Sequence, residues 1–233
     1  MRINKLFSNY GICSRKQTNI LIKEKRVLIN GILAKEGQWV EESDEILLDG
    51  KKIKKADNIY LAFNKPRGII CSSSEDLNNN IIKFLNFNGY IFPIGRLDKE
   101  SEGLILLTND GDFANSLINS ENYHPKEYVV KVNRNITDEF LNSMSKGVKI
   151  LNTITRPCIL KRISNDTFSI ILTQGLNRQI RRMCLNFGYR VISLKRIRIV
   201  NILLDNLQEG KFRNLTDDEI LTLKNFLFEN KNI

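Results

Sequence analysis

The sequence predicts an α+β protein in two parts: a small N-terminal unit over residues 1–57 and a larger domain over residues 58–233. Three observations carry this reading. Two hairpin dipeptides, Asn30-Gly31 and Asp49-Gly50, follow a capped helix within the first fifty residues. A basic stretch without periodicity, Lys51-Lys52-Ile53-Lys54-Lys55-Ala56-Asp57-Asn58, reads as a linker. From Ile59 onward, strand-like and helix-like patterns mix along the chain.

In the first unit, Ser14-Arg15-Lys16-Gln17 fits a capping box, so a helix begins at Arg15, carries Ile20 and Leu21, and ends by Arg26. Val27-Leu28-Ile29 and Ile32-Leu33 flank Asn30-Gly31, and Ile46-Leu47-Leu48 leads into Asp49-Gly50. Both dipeptides tolerate the positive φ angles that two-residue hairpins require. In the larger part, Tyr60-Leu61-Ala62-Phe63-Asn64 reads as a strand stopped by a turn, Lys65-Pro66-Arg67-Gly68. Residues 72–80 are rich in Ser, Asn and Asp and are expected to form an exposed loop. Tyr90-Ile91-Phe92-Pro93-Ile94 and Leu104-Ile105-Leu106-Leu107 have the length and apolar density of core strands.

Farther on, Asp110 to Asp112 can cap a short helix carrying Phe113, Leu117 and Ile118. Lys126 to Val132 alternates as a strand does. Thr137 opens a helix with Phe140, Leu141 and Met144, ended by Gly147, and Phe168, Ile170 and Leu172 mark another strand. Asn177 as N-cap and Gly188 as C′ residue predict a helix of about three turns. Its buried face is Ile180, Met183, Cys184 and Phe187. Thr216 and Glu219 form a capping box for a C-terminal helix with Ile220, Leu221, Leu223 and Phe226.

Composition narrows the function. A net charge of +10 favours a polyanionic partner, nucleic acid before a membrane surface. No run of eighteen apolar residues is present, and Met1 to Asn9 lacks the apolar core of a secretory signal. Cys13, Cys71, Cys158 and Cys184 lie far apart, as reduced and mostly buried thiols of a cytoplasmic protein would. With His124 as the single histidine, expected in a surface loop, zinc catalysis and Ser-His-Asp chemistry are both poorly supplied.

Two stretches stand out as chemistry. Gly95-Arg96-Leu97-Asp98-Lys99-Glu100-Ser101-Glu102-Gly103 puts a carboxylate in a short connection between two core strands, held by rigid elements yet at the surface of the core. From Leu176 to Arg198 there are seven basic residues and no acidic one. Arg178, Arg181 and Arg182 crowd a helix N-terminus, where cations oppose the macrodipole; anion binding explains that better than solubility does. Arg2, Lys5, Arg15 and Lys16, with Ser14, gather at the helices of the first unit, where phosphate binding and a merely solvated helix face are both open. Three kinds of protein fit: a two-metal nuclease using Asp98, Asp110 and Asp112, a pure RNA-binding protein, or an enzyme in which Asp98 attacks a nucleotide and an arginine keeps it ionised.

The motifs resemble those of the RsuA/RluB/RluE/RluF family of bacterial ribosomal RNA pseudouridine synthases, preceded by an S4-type RNA-binding domain with its αL motif. Gly95-Arg96-Leu97-Asp98 matches the family's G-R-L-D, Lys126-Glu127-Tyr128 its K-x-Y strand, and Asn64-Lys65-Pro66-Arg67-Gly68 the start of its catalytic domain. Leu176-Asn177-Arg178-Gln179-Ile180-Arg181-Arg182-Met183 matches its third motif. Gly175 to Cys184 and Leu215-Thr216-Asp217-Asp218-Glu219 look most like the RluF branch. That branch is similar to enzymes modifying a uridine in a hairpin of 23S rRNA, and sometimes a tRNA anticodon base.

The resemblance implies a catalytic domain with a mixed, mainly antiparallel sheet and a cleft between Asp98 and the arginine helix. It implies Asp98 as nucleophile, Tyr128 packed against the target base, and Arg181, chosen over Arg182, as the partner of Asp98. RNA contacts are expected from Arg96, Leu97, Lys99, Arg178, Gln179, Ile180, Arg182, Lys65, Arg67 and Lys126, and from Arg2, Lys5, Ser14, Arg15 and Lys16 in the first unit. No cofactor and no metal are implied. The partner is RNA, not a membrane, and the protein is expected to act as a monomer.

Overall fold

The computed structural model describes residues 1–41, 43–72, 78–118 and 123–229. Helices α1 (Ile3–Asn9) and α2 (Arg15–Lys23) pack on a small antiparallel sheet of β1 (Val27–Ile29), β2 (Ile32–Leu33), β3 (Ile46–Leu48) and β4 (Lys51–Lys52), in the order β2-β1-β3-β4. Asn30 and Gly31 both take positive φ in the first hairpin, Asp49 and Gly50 in the second, as the sequence predicts. The core between helices and sheet is Ile3, Leu6, Phe7, Leu21, Ile22, Val27, Ile29, Val40 and Ile46. The side chain of Ser14 accepts from the Gln17 amide at 3.1 Å and so satisfies one orphan donor of α2. Ser14→Ala is expected to lower stability by about 1 kcal/mol, read as a shift in the urea midpoint with an unchanged slope.

The linker is shorter than expected, because Lys51 and Lys52 complete β4. Residues 53–59 run without regular structure but are pinned along their length. The Ala56 amide donates to the Tyr10 carbonyl, the Ile59 amide to Asn109 Oδ1, and Asn109 Nδ2 to the Asp57 carbonyl. Lys5 pairs with Asp112 at 3.2 Å and Asn9 bonds the same carboxylate, which seats α1 against the first turn of the helix that contains Asp112.

The larger part is built on one twisted sheet. Its strands are β5 (Tyr60–Lys65), β6 (Phe92–Ile94), β7 (Glu102–Thr108), β8 (Lys126–Val132), β11 (Ile159–Ser164), β12 (Thr167–Leu172), β13 (Val191–Ile199), β14 (Ile202–Leu203) and β15 (Phe212–Asn214). The order is β11-β12-β8-β13-β7-β5-β15, with β14 on β13 and β6 on β7. Among the described residues only β13 and β7 pair in parallel, so the sheet is mixed and mainly antiparallel. A separate hairpin pairs β9 (Lys149–Ile150) with β10 (Thr153–Ile154).

Helices cover both faces of the central strands. Leu104 and Leu106 face α4 (Gly111–Ile118) and α7 (Asp217–Glu229), whereas Ile105 and Leu107 face α3 (Ile81–Leu85). Burial on both faces is why this strand is a continuous apolar run with no alternation. A third cluster lies between the β8–β12–β13 region and the helices α5 (Asp138–Ser145) and α6 (Gln179–Asn186), with Phe140, Phe168, Met144 and Met183 at its centre. The capping box of α7 is complete: Thr216 Oγ1 accepts from the Glu219 amide, and Glu219 accepts from the Thr216 amide.

Three expectations change, those for His124, Lys65 and helix α6. His124 is buried, 1 % exposed, with Nδ1 on the Leu117 carbonyl and its ring 5.8 Å from that of Phe226; α7 closes over it. Lys65 continues β5 and does not join the turn. Residues 73–77 of the expected loop lie outside the described residues, and Asn80 at its end caps α3 through Oδ1. Helix α6 has eight residues, and its N-cap is Arg178 in the left-handed region at φ +51°, one residue later than predicted. Asn177 is drawn off as a cap because its carbonyl and Oδ1 both accept from Arg182, while the Gln179 side chain takes the Leu176 amide.

Candidate active site

The connection between β6 and β7 is fixed mainly through its backbone. The Gly68 amide donates to the Lys99 carbonyl at 2.7 Å, and the Ser101 amide to the Asp98 carbonyl at 3.0 Å. The Leu97 amide donates to Cys71 Sγ at 3.3 Å, with Leu97 itself buried as an anchor. From α6, Arg178 pairs with the Glu100 carboxylate at 2.7 Å, and Arg181 Nη2 donates to the Glu100 carbonyl at 3.3 Å. A loop held at this many points fixes the backbone that carries Asp98.

Asp98 lines a cavity of about 490 Å³, within the range of small-molecule sites. Tyr128 and Lys126 enter its wall from β8, Arg196 from β13, and Arg96, Lys99 and Arg178 from the loops around its mouth. A smaller recess of about 120 Å³, also lined by Asp98 and Tyr128, runs against Ser101, Leu172, Gln179 and Ile180. The third motif therefore serves in two ways. Gln179 and Ile180 are buried and shape the recess, whereas Arg178 and Arg182 are exposed.

Arg181 and Arg182 are distinguished by direction. Arg182 folds back on Asn177, away from the loop, while Arg181 is half-buried against Val191 and Glu100. Burial pulls Arg181 below the usual arginine range and neighbouring Arg178 adds to this, while the charges of Glu100 and Asp98 oppose it. Among the described residues no arginine bonds the Asp98 carboxylate directly; Arg181 grips the main chain two residues on. Glu100, which sequence reasoning passed over, is held below the usual carboxylate range by its bond to Arg178.

The other predicted contacts divide by exposure. Arg67, Arg96, Lys99, Arg2, Arg15 and Lys16 are exposed, and Lys5 is engaged with Asp112. Lys65 differs from the expectation: it is 0 % exposed and its ammonium donates to the Pro66 and Ile69 carbonyls at 2.8 and 2.9 Å. Burial of Lys126 and the charge of Arg196 beside it pull its ammonium down to about 8. Arg196 itself was missed as a site residue. The sequence shows it only as one of seven cations in a basic stretch, and its place depends on the pairing of β13 with β8.

The two-metal reading loses its ligands. Asp110 caps α4 through the Phe113 amide and accepts from the Tyr60 hydroxyl at 2.8 Å, and Asp112 is taken by Lys5 and Asn9. Fold and cleft together define a class: an α+β protein with a carboxylate on a rigid loop, set in a cationic cavity beside a tyrosine, built for a polyanionic substrate. A family model described as RNA pseudouridylate synthase matches residues 59–186. The dual-specificity RNA pseudouridine synthase RluF of Salmonella typhi is 47 % identical over 225 residues, covering 95 % of this chain and 78 % of that protein. Ribosomal large subunit pseudouridine synthase B of Bacillus subtilis is 37 % identical over 240 residues, 99 % of this chain and 98 % of that one. A crystal structure of a pseudouridylate synthase matches with a TM-score of 0.69 at 26 % identity, over 96 % of this chain and 99 % of that chain. The chain belongs to the RNA pseudouridine synthase family and is an isomerase acting on uridine in RNA.

Proposed function

We propose that this protein is of the RluF type: it isomerises one uridine in a hairpin of 23S rRNA, with a tRNA anticodon uridine as a second substrate class. The observation that carries the reaction is the convergence of Asp98, Tyr128 and the N-terminal turn of α6 on one cavity. The target uridine leaves its stack and enters this cavity, because its reacting bond is out of reach inside a paired helix. The Asp98 carboxylate promotes cleavage of the N1–C1′ bond, by attack on C1′ or by elimination toward a glycal. The detached base turns, re-bonds through C5, and loses its C5 proton to a base, with Tyr128 the nearest candidate. Arg181 positions the Asp98 loop through the Glu100 carbonyl. Arg96, Lys99 and Arg178 contact phosphates around the mouth, and the exposed Arg67 and Arg182 contact phosphates farther along the RNA.

Residues 1–57 act as an S4-type RNA-binding domain, presenting Arg2, Arg15 and Lys16 beside Ser14. No helix among the described residues is long and apolar enough to cross a membrane. The protein works in the cytoplasm, as a monomer, without a cofactor. RNA affinity is expected to fall steeply with salt. About six phosphate contacts correspond to a loss of roughly 10³-fold between about 50 and 200 mM, measurable by filter binding.

Pseudouridine mapping of total RNA tests the proposal in cells with the wild-type protein, without it, and with Asp98→Ala. Loss of one 23S rRNA site in both altered strains supports it. Loss at a 16S site, or at a 23S site outside a hairpin, redirects the specificity toward an RsuA-, RluB- or RluE-type enzyme. No change at any site, with rRNA binding intact, replaces it by an RNA-binding or ribosome assembly role.

A further inference from the structure

Three cations enter the Asp98 region from the sheet, and their hydrogen bonds differ. Lys65 is satisfied by two carbonyls. Arg196 is 3 % exposed; its Nε donates to the Leu104 carbonyl at 2.7 Å, while Nη2 is buried without a hydrogen-bond partner among the described residues. Lys126 has one long bond, 3.5 Å to the His124 carbonyl. Neither Lys126 nor Arg196 forms an ion pair among the described residues, and Glu127, the nearest acid in sequence, is held by Arg198 at 2.9 Å.

Lys126 and Tyr128 share a face of β8 by strand periodicity, and register sets Arg196 opposite Tyr128. The Arg196 guanidinium lies 5.9 Å from the Tyr128 ring centre, and all three side chains line the cavity that Asp98 lines. A buried arginine beside a half-buried lysine, neither of them ion-paired among the described residues, costs stability unless an anion meets them during function. The depressed ammonium of Lys126 is the same strain seen from its proton.

Resting on the pseudouridine synthase reading above, we propose that Lys126 and Arg196 form an anion subsite for the detached base. In either route open to Asp98, the electron pair of the N1–C1′ bond leaves with the base, so the intermediate is uracilate, with its charge spread over N1 and the carbonyl oxygens. C1′ is then either bonded to the carboxylate or part of a glycal formed by loss of the C2′ proton. When C5 bonds C1′, the carboxylate departs, or the C2′ proton returns; the C5 proton passes to a base and N1 is reprotonated. Atoms and charge balance without a further reactant. A mobile anion that must turn before it re-bonds needs diffuse cationic donors, and Lys126 and Arg196 supply them beside the Tyr128 ring on which the base rests.

The test uses the full chain and a 23S rRNA transcript, made once with uridine and once with 5-fluorouridine. Single-turnover rates at saturating enzyme are followed by nucleoside chromatography with mass detection. Lys126→Met and Arg196→Gln are each expected to slow the uridine reaction roughly 100-fold, the scale of losing one transition-state charge donor. RNA affinity should stay within about threefold, since one interior contact adds little to the phosphate term. Lys126→Arg should recover part of the rate. Fluorine makes the departing anion a weaker base, so the defect should shrink on the 5-fluorouridine transcript, where C5 has no proton to lose and the reaction is read as conversion of 5-fluorouridine to the C5-linked product that keeps its fluorine. Equal defects on both transcripts would assign the pair to structural support and overturn the proposal. Weakened RNA binding with an unchanged saturated rate would overturn it in favour of a phosphate contact. Should Arg196→Gln fail to fold, Lys126→Met decides alone, because its ammonium supports a single long bond. If the wild-type protein modifies neither this transcript nor a tRNA pool, the underlying reading fails, and the subsite with it.

Discussion

Asp98→Asn abolishes pseudouridine formation while leaving the fold and RNA binding nearly unchanged. The expected loss is on the order of 10⁴-fold or more, because the amide can neither attack C1′ nor take a proton while the remaining site is untouched. Asp98→Glu is expected to fail as well, by at least about 100-fold. The loop is tied by the Gly68 amide, the Ser101 amide and Arg181, so it cannot retreat to offset an added methylene. Thermal unfolding and filter binding serve as controls. Activity of Asp98→Asn within tenfold of wild type would remove Asp98 from the nucleophile's place.

The second large effect is on stability. Gly103 sits at φ +101° where β7 runs parallel to β13, and a Cβ built there would lie 2.3 Å from the Arg196 carbonyl oxygen and 2.8 Å from the Arg196 amide. Both atoms are backbone in the middle of the sheet, so relief requires parting two central strands. Gly103→Ala is expected to cost at least about 3 kcal/mol, combining overpacking with left-handed strain. It should also displace Arg196, so residual folded protein loses activity beyond its loss of stability. Gly175→Ala is the matched control. It meets nothing within 4 Å, and its unfolding free energy, read from the urea midpoint at unchanged slope, should move by no more than about 0.5 kcal/mol. Comparable midpoints for the two variants would refute the close-approach account.

Much of this protein is decided by its sequence. The hairpins at Asn30-Gly31 and Asp49-Gly50 follow from residues that tolerate positive φ, and the caps Ser14, Thr137 and Thr216 from side chains that reach the amide three residues on. These are local effects, so they are legible locally. Asp98 is legible too, because a carboxylate in a short connection between two apolar runs has few places to go.

The tertiary structure decided what depends on pairing at a distance. Arg196 and Lys126 become neighbours only through the register of β13 on β8, across some seventy residues of chain. His124 is buried because α7, a hundred residues later, closes over it. Asn177 looks like a cap until Arg182 bonds it, and Arg178 then takes the left-handed position. Gly103 reads as a turn glycine, yet what demands it is the approach of a strand more than ninety residues away. Burial and register are properties of the whole sheet. A charge pattern records that cations are present, and only the packed sheet settles which of them face solvent and which line the cavity beside Asp98.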